Sequence, residues 1–393
     1  MLFYSRYQSD DPGDFSVELT KLQAGMMLYN GSPIHRKPYL YALPENMSYD
    51  ELKNALYRTI SGHASLQVRF KYVKSEQQYI QYVKELPPMQ SWDISVVRID
   101  KLPELHIVFD ETSIPLLEEY PWRIKFLEHA QQRYLYIEFH AICIDDYGVK
   151  CFEDMLFKSL VSGYSVQLGN LSSYRLLRNM EIISSSEVFE NHHMKPRKLL
   201  RQEHLKMVSL TYSLSADQLG IVQQTAQKYG VDIPVVYQFI AEQVIDYCYG
   251  GKTYGVVENW RSMLRNYDEI GCFHYLSSES LESISLLDNH LGLLQRRRNQ
   301  RAEGEFGSIC KQSDFPVVYW YEEELCQHLV PIQADQYCLH DLLVRVRRSQ
   351  TAAAIQLDIR QASVKKEQVQ QLYHKITIIL ESLRKQLMAS CAS

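Results

Sequence analysis

The spacing of apolar residues divides the chain into stretches of two periods. Tyr49 to Ser61 (YDELKNALYRTIS) sets Leu52, Leu56 and Ile60 four apart, the stripe of an amphipathic helix, and Leu66 to Phe70 then alternates as a short strand does. From Trp122 to His140 the period falls to two: Ile124 and Phe126, then Leu135, Ile137 and Phe139, alternate with Arg123, Lys125, Tyr134, Tyr136, Glu138 and His140. His140 therefore shares a face with Tyr134, Tyr136 and Glu138. A turn containing Asp145, Asp146 and Gly148 follows, and Cys151 to Tyr164 returns to helical spacing through Phe152, Met155, Leu156 and Leu160. Strand, polar turn and helix in that order commonly present functional groups at a strand end.

Ser165 to about Arg201 is polar, lacks sustained periodicity and carries Ser184-Ser185-Ser186, which places a boundary between two lobes there. The second half restarts the alternation. Ala216 to Tyr229 and Pro234 to Tyr249 read as helices, the latter with its proline in the first turn, and Gly255 to Asn259 reads as a buried strand. Val364 to Lys385 closes the chain as an amphipathic helix with Val369, Leu372, Ile376, Ile379 and Leu383 inward. Helices segregated over largely antiparallel strands in both halves predict an α+β fold of two related lobes, residues 1–172 and 173–393.

Composition narrows the function more than the fold. With 46% hydrophobic and 23% charged residues the chain is an ordinary globular protein rather than a disordered one. A net charge of −5 gives no attraction for a polyanion, and Arg296-Arg297-Arg298 reads as a solvated helix face rather than an anion site, so no nucleic-acid partner is expected. No apolar run approaches the ~20 residues of a membrane span. Met1 to Asp14 lacks the basic and apolar regions of a secretory signal, so a cytoplasmic protein with no membrane partner is expected. The eight cysteines are scattered without a C-x-x-C pair; they are expected to be reduced and mostly buried, with no metal site.

Local sequences carry a more specific signal. Glu18 to Leu28 (ELTKLQAGMML) contains Thr20, Gln23, Gly25 and Met26; Leu52 to Phe70 ends with His63, Leu66 and Arg69-Phe70; Glu258 to Arg261 (ENWR) is followed by Ile270 to Phe273 (IGCF). In order and spacing, from about residue 15 to residue 385, these pieces resemble the signatures of the condensation domains of nonribosomal peptide synthetases. The resemblance implies two chloramphenicol-acetyltransferase-like lobes in a V arrangement with a tunnel along their interface. It also implies carrier proteins that feed phosphopantetheine arms inward, one bearing a donor thioester and the other an acceptor amine. No cofactor bound by the domain itself is implied, and the two-lobed family is usually monomeric.

The family's central motif is His-His-x-x-x-Asp-Gly, followed two positions later by Ser, and lies at a strand end before a helix. The corresponding stretch here is His140-Ala141-Ile142-Cys143-Ile144-Asp145-Asp146-Tyr147-Gly148. With Asp145 fixing the frame, His140 matches the first His and Ala141 stands where the catalytic His belongs. The alternative frame makes His140 the catalytic residue and Phe139 the first, and needs one inserted residue before Asp145, as a strand-end bulge would supply. His192-His193 is no substitute, because Arg197 rather than Asp follows at the required spacing. The resemblance implies that Asp145 is structural and pairs with Arg261, and that His140 supports the turn. Asp146 replaces Gly and would set a carboxylate beside a reacting thioester.

Two expectations of different class follow. The first is a degenerate or weakly catalytic condensation-like protein of nonribosomal peptide biosynthesis that binds carrier proteins or a tailoring enzyme. In support, glycopeptide assembly lines carry a condensation-like domain whose motif reads His-Arg-x-x-x-Asp-Asp and which recruits haem monooxygenases, although Ala141 here replaces its Arg. The second is an acyltransferase that forms an amide or ester from a carrier-bound thioester with an atypical site in which His140, Asp146 and Tyr147 supply the polar contacts.

Overall fold

The computed structural model describes residues 16–28, 35–99, 114–165, 171–185, 207–249, 253–264, 269–281, 286–302, 309–310, 317–323, 332–333, 341–349, 351–360 and 366–389. Met1 to Asp14, His192-His193 and Arg197 lie outside the described residues. In chain order the first elements are β1 (Ser16–Glu18), α1 (Lys21–Leu28), β2 (Arg36–Ala42), α2 (Tyr49–Ser61), β3 (Val68–Val73), β4 (Gln78–Val83) and β5 (Val96–Arg98). Next come β6 (Trp122–His129), β7 (Gln132–His140), α3 (Asp146–Ser162) and α4 (Ser172–Ser185). The later chain gives β8 (Met207–Ser213), α5 (Ala216–Tyr229), α6 (Ile233–Tyr249), β9 (Thr253–Asn259), α7 (Arg261–Leu264), β10 (His274–Ser280), α8 (Leu287–Ala302) and β11 (Ile309–Cys310). It closes with β12 (Val317–Glu323), β13 (Ile332–Gln333), β14 (Leu342–Arg348), β15 (Ala353–Arg360) and α9 (Lys366–Ala389).

These elements form two compact units. The first comprises Met1–Ile183, Asn266–Phe273 and Gln327–Asp335; the second comprises Ser184–Arg265, His274–Cys326 and Gln336–Ser393. The first unit is therefore built from three stretches of chain, where the sequence suggested a single break at 172/173. It holds a five-stranded sheet, ordered β13-β2-β7-β6-β5, and a three-stranded sheet, ordered β1-β4-β3. Leu135, Ile137 and Phe139 of β7 pack into a cluster with Leu52, Leu56 and Ile60 of α2 and Phe152 and Leu156 of α3. Tyr134 and Tyr136, on the other face of β7, join Leu40 and Leu127 in a smaller cluster. The alternation read in the sequence is thus realised, with both faces buried.

The second unit is one seven-stranded sheet, ordered β11-β10-β9-β12-β14-β15-β8. Its apolar face, through Val256, Tyr319, Val344 and Ile355, packs on Val222 of α5, Val236, Ile240 and Val244 of α6, and Leu372, Ile376 and Leu383 of α9. Most pairings in both units are antiparallel, but β12 runs parallel to both β9 and β14, and β5 parallel to β6. The arginine run in α8 is used inside the unit, with Arg297 on Glu279 at 3.0 Å and Arg298 on Asp232 at 3.6 Å.

Polar side chains set several boundaries that apolar spacing misplaces. Helix α3 starts at Asp146 rather than Cys151 because Asp145 caps it, and it stops at Ser162 because Gly163 takes φ +68°, which an L side chain resists. The polar segment assigned to the inter-lobe boundary contains α4. Its stripe escaped detection because it is short and mixed, with Tyr174, Leu177 and Glu181 buried. Among the described residues no helix is long and apolar enough to cross a membrane, and no group of three or more His, Cys, Asp or Glu is placed to hold a metal ion.

Helices α2 and α5 both begin with a capping box. In α2, Ser48 Oγ accepts from Glu51 N at 3.1 Å while Ser48 N donates to Glu51 Oε2 at 3.0 Å. Ser48→Ala should therefore cost about 1 kcal/mol in urea unfolding, and Ser48→Asp should retain most of the stability.

Candidate functional site

The site is the turn between β7 and α3. Strand β7 stays in register with β2 and β6 up to its last residues, with Arg36 opposite His140 and Trp122 opposite Phe139, and shows no bulge before His140. Ala141 N then donates to His35 O at 2.8 Å, and Cys143 N closes the turn on His140 O at 3.1 Å. Phe139 lies in the apolar cluster of the first unit.

His140 is turned into the protein. It is 1% exposed, and its Nδ1 accepts the Ile142 N–H at 3.1 Å, which leaves the ring proton on Nε2. Burial, and then the neighbouring His35 ring with its centroid 5.5 Å away, hold the pKa of His140 well below the ordinary histidine value. The ring is neutral at physiological pH, and the nitrogen that would act as a base is committed to the backbone. On the same face Glu138 is buried and accepts a fork from Arg36, Nε to Oε1 at 2.8 Å and Nη2 to Oε2 at 2.6 Å, together with the Tyr136 hydroxyl at 2.7 Å.

Ala141, 8% exposed, belongs with Ile142, Cys143 and Ile144 to the apolar cluster. Burial, and next the nearby Cys272, push the Cys143 thiol well above its usual pKa, so it is no nucleophile at neutral pH. Asp146 forms an ion pair with Lys37 of β2, both side chains about one-fifth exposed (20% and 19%). Tyr147 is half-buried and packs against the apolar cluster. The structure thus gathers His140, Asp146 and Tyr147 around one turn, but commits the imidazole to the backbone and the carboxylate to a lysine.

Asp145 does structural work through both oxygens. Oδ1 accepts from Gly148 N at 2.6 Å, capping α3, and Oδ2 accepts from Phe273 N at 2.8 Å, while Asp145 N donates to Gly271 O at 3.0 Å. The Ile270–Phe273 stretch is held by further bonds: Cys272 N donates to the Tyr174 hydroxyl at 2.8 Å, and the Ser65 hydroxyl donates to Ile270 O. A Cβ on Gly271 would lie 2.4 Å from Phe273 Cε2, so glycine is required there. Arg261, the partner implied for Asp145, belongs to the second unit, where its backbone N–H donates to Asn259 Oδ1 at 2.9 Å.

The early signature also ends at this turn. Gln23, fully buried, donates to Ile142 O at 2.9 Å, exchanges hydrogen bonds with Gln81, and is braced by Thr20 through Gln23 N to Thr20 Oγ1 at 3.2 Å. Sequence reasoning found Thr20, Gln23, Asp145 and Ile270 to Phe273, but missed Lys37, Gln81, Tyr174 and Ser65. Lys37 meets Asp146 directly, Gln81 braces Gln23, and Tyr174 and Ser65 hold the Ile270–Phe273 backbone, through long-range contacts that no local pattern announces.

No protein-family model matches the chain, and no curated protein matches it. Solved structures do match over almost its full length. The X-domain, solved in complex with OxyB from teicoplanin biosynthesis, aligns with a TM-score of 0.74 at 14% identity over 95% of this chain and 94% of that one. The condensation domain of the Monacolin K polyketide synthase MokA gives 0.71 at 10% identity over 95% and 98%. The epimerization domain from the third module of tyrocidine synthetase B gives 0.71 at 10% identity over 96% and 100%. The chain therefore has the condensation-domain fold, in its α+β form with two units, which the resemblance implied.

Removing the Asp145 carboxylate takes away a helix cap and leaves the Phe273 N–H without its acceptor. Asp145→Ala should accordingly cost about 2–4 kcal/mol in equilibrium unfolding. The histidines set an acid limit. Burial lowers the pKa of His63 to about 4 and holds His140 well below its ordinary value, so the unfolded chain takes up protons below about pH 6.5 that the folded one refuses. Stability should fall as pH drops from about 6.5 toward 4, and the slope of the urea midpoint against pH should flatten in His63→Gln.

Proposed function

We propose that this chain is a condensation-fold module of nonribosomal peptide assembly that acts by binding a carrier protein or a tailoring enzyme and that has little or no bond-forming activity. The observation that carries the reading is Ala141: a methyl group packed in the apolar cluster at the position where the family holds its catalytic imidazole. His140 does not replace it, being neutral, buried and occupied by the Ile142 N–H.

Magnitudes favour weak catalysis over none. A positioned acid–base group is worth about 10²- to 10⁴-fold, whereas alignment of two reactants supplies about 7–11 kcal/mol by itself. A protein that aligned two carrier arms without an imidazole would retain part of the rate, because a neutral amine attacks a thioester unaided. The X-domain, solved with OxyB, is a protein of this fold in complex with an enzyme from its pathway. Function resides in sites rather than folds, and the site here offers shape and contacts without an accessible base.

The test is an acyl-transfer assay with loaded donor and acceptor carrier proteins, comparing the parent with the Ala141→His, Asp146→Gly double variant. The parent should run about 10²- to 10⁴-fold slower than the double variant, and its residual rate should be unchanged in His140→Ala. A substantial parent rate that disappears in His140→Ala would establish the atypical acyltransferase instead.

A further inference from the structure

The Lys37–Asp146 ion pair is absent from the family signature and unexplained by the fold alone. Lys37 stands directly opposite Phe139 in the β2–β7 ladder, so the two side chains share a face. Ala141 follows two positions after Phe139, and its N–H bonds the carbonyl of His35, two positions before Lys37. Lys37 and Ala141 are therefore neighbours on the face that the start of α3 approaches. Asp146 is the first residue of that helix and sits on Lys37. The pair closes a bridge from strand to helix across the turn that contains position 141.

We propose that Lys37 and Asp146 determine specificity as a charged plug: their ion pair covers the turn at Ala141 and keeps a neutral acyl thioester away from it. Parting a half-buried pair leaves two partly desolvated charges, and an uncharged thioester offers neither of them a counterion. The plug therefore selects against the ligand that the family's catalytic position would take, and it does so independently of the missing imidazole. The proposal rests on the functional reading above only for the identity of the excluded ligand.

The test places a thiol at the covered position. In Ala141→Cys, alkylation by iodoacetamide at position 141 is followed by peptide mass spectrometry, with native Cys143, buried in the same turn, as the internal control. Adding Asp146→Gly together with Lys37→Met, which removes both charges and so leaves no bare ammonium to activate the thiol, should accelerate modification at position 141 by about tenfold or more, because access then governs the rate. The swapped pair Lys37→Asp, Asp146→Lys in the same background should keep the slow rate. Equal rates with and without Asp146→Gly and Lys37→Met overturn the proposal, as does a rise at Cys143 in step with position 141, which would mark a general loosening of the turn. Acyl transfer is scored separately: a substantial parent rate lost in His140→Ala overturns the functional reading and leaves the alkylation comparison standing.

Discussion

The structure of the site depends on one carboxylate. Asp145 joins a helix start to a stretch of backbone 128 positions away: one oxygen caps α3, the other takes the Phe273 N–H, and the residue's own N–H reaches Gly271. An anion at a helix N-terminus is favoured by the helix dipole, and each oxygen receives a buried amide donor. The partners of these three bonds are backbone groups, so none of the three depends on which side chain stands at position 141.

Around the clasp, buried side chains brace the turn and the Ile270–Phe273 backbone that it holds. Gln23 holds Ile142 O, Ser65 and Tyr174 hold the Ile270–Phe273 backbone, and Gly271 leaves room for the Phe273 ring. These bonds are buried, so losing any one of them leaves a polar group unsatisfied in an apolar environment. Signature residues that look catalytic by their place in a motif are here mainly the supports of a loop. At the outer rim of the turn, Lys37 and Asp146 carry charge that reaches solvent.

Period and capping made much of this legible in advance. The stripe of Leu52, Leu56 and Ile60 gave α2 its correct limits, and the alternation from Leu135 to Phe139 put His140 on the face of Tyr134, Tyr136 and Glu138. Helix α4 was not legible, since Glu181, which a hydrophobicity pattern counts as solvent-facing, is buried to accept the Lys21 N–H at the start of α1. Sheet order was not legible either. That β2 lies beside β7, and so brings Lys37 to Asp146, follows from long-range pairing, and nothing local in RKPYLYA encodes it. The motif offered two frames in the sequence, and the unbroken register of β7 up to His140 supplies no inserted residue for the second. The state of His140 could not be read there, because its tautomer depends on Ile142 N and its lowered pKa on burial first and His35 second.

The substitution at position 141 and the ion pair beside it act in the same direction on energy. A histidine packed where the Ala141 methyl now lies would bury a polar ring among Phe139, Ile142 and Ile144, at the cost of an unsatisfied nitrogen unless a ligand or solvent reached it. A catalytic turn sustains that cost because its imidazole must meet substrate. Here the methyl removes the cost, and the charge that remains at the rim is matched by its own lysine. The turn thus buries no polar ring at position 141 and matches its rim charge within the protein, which is the energetic content of the proposal that it is kept for its shape.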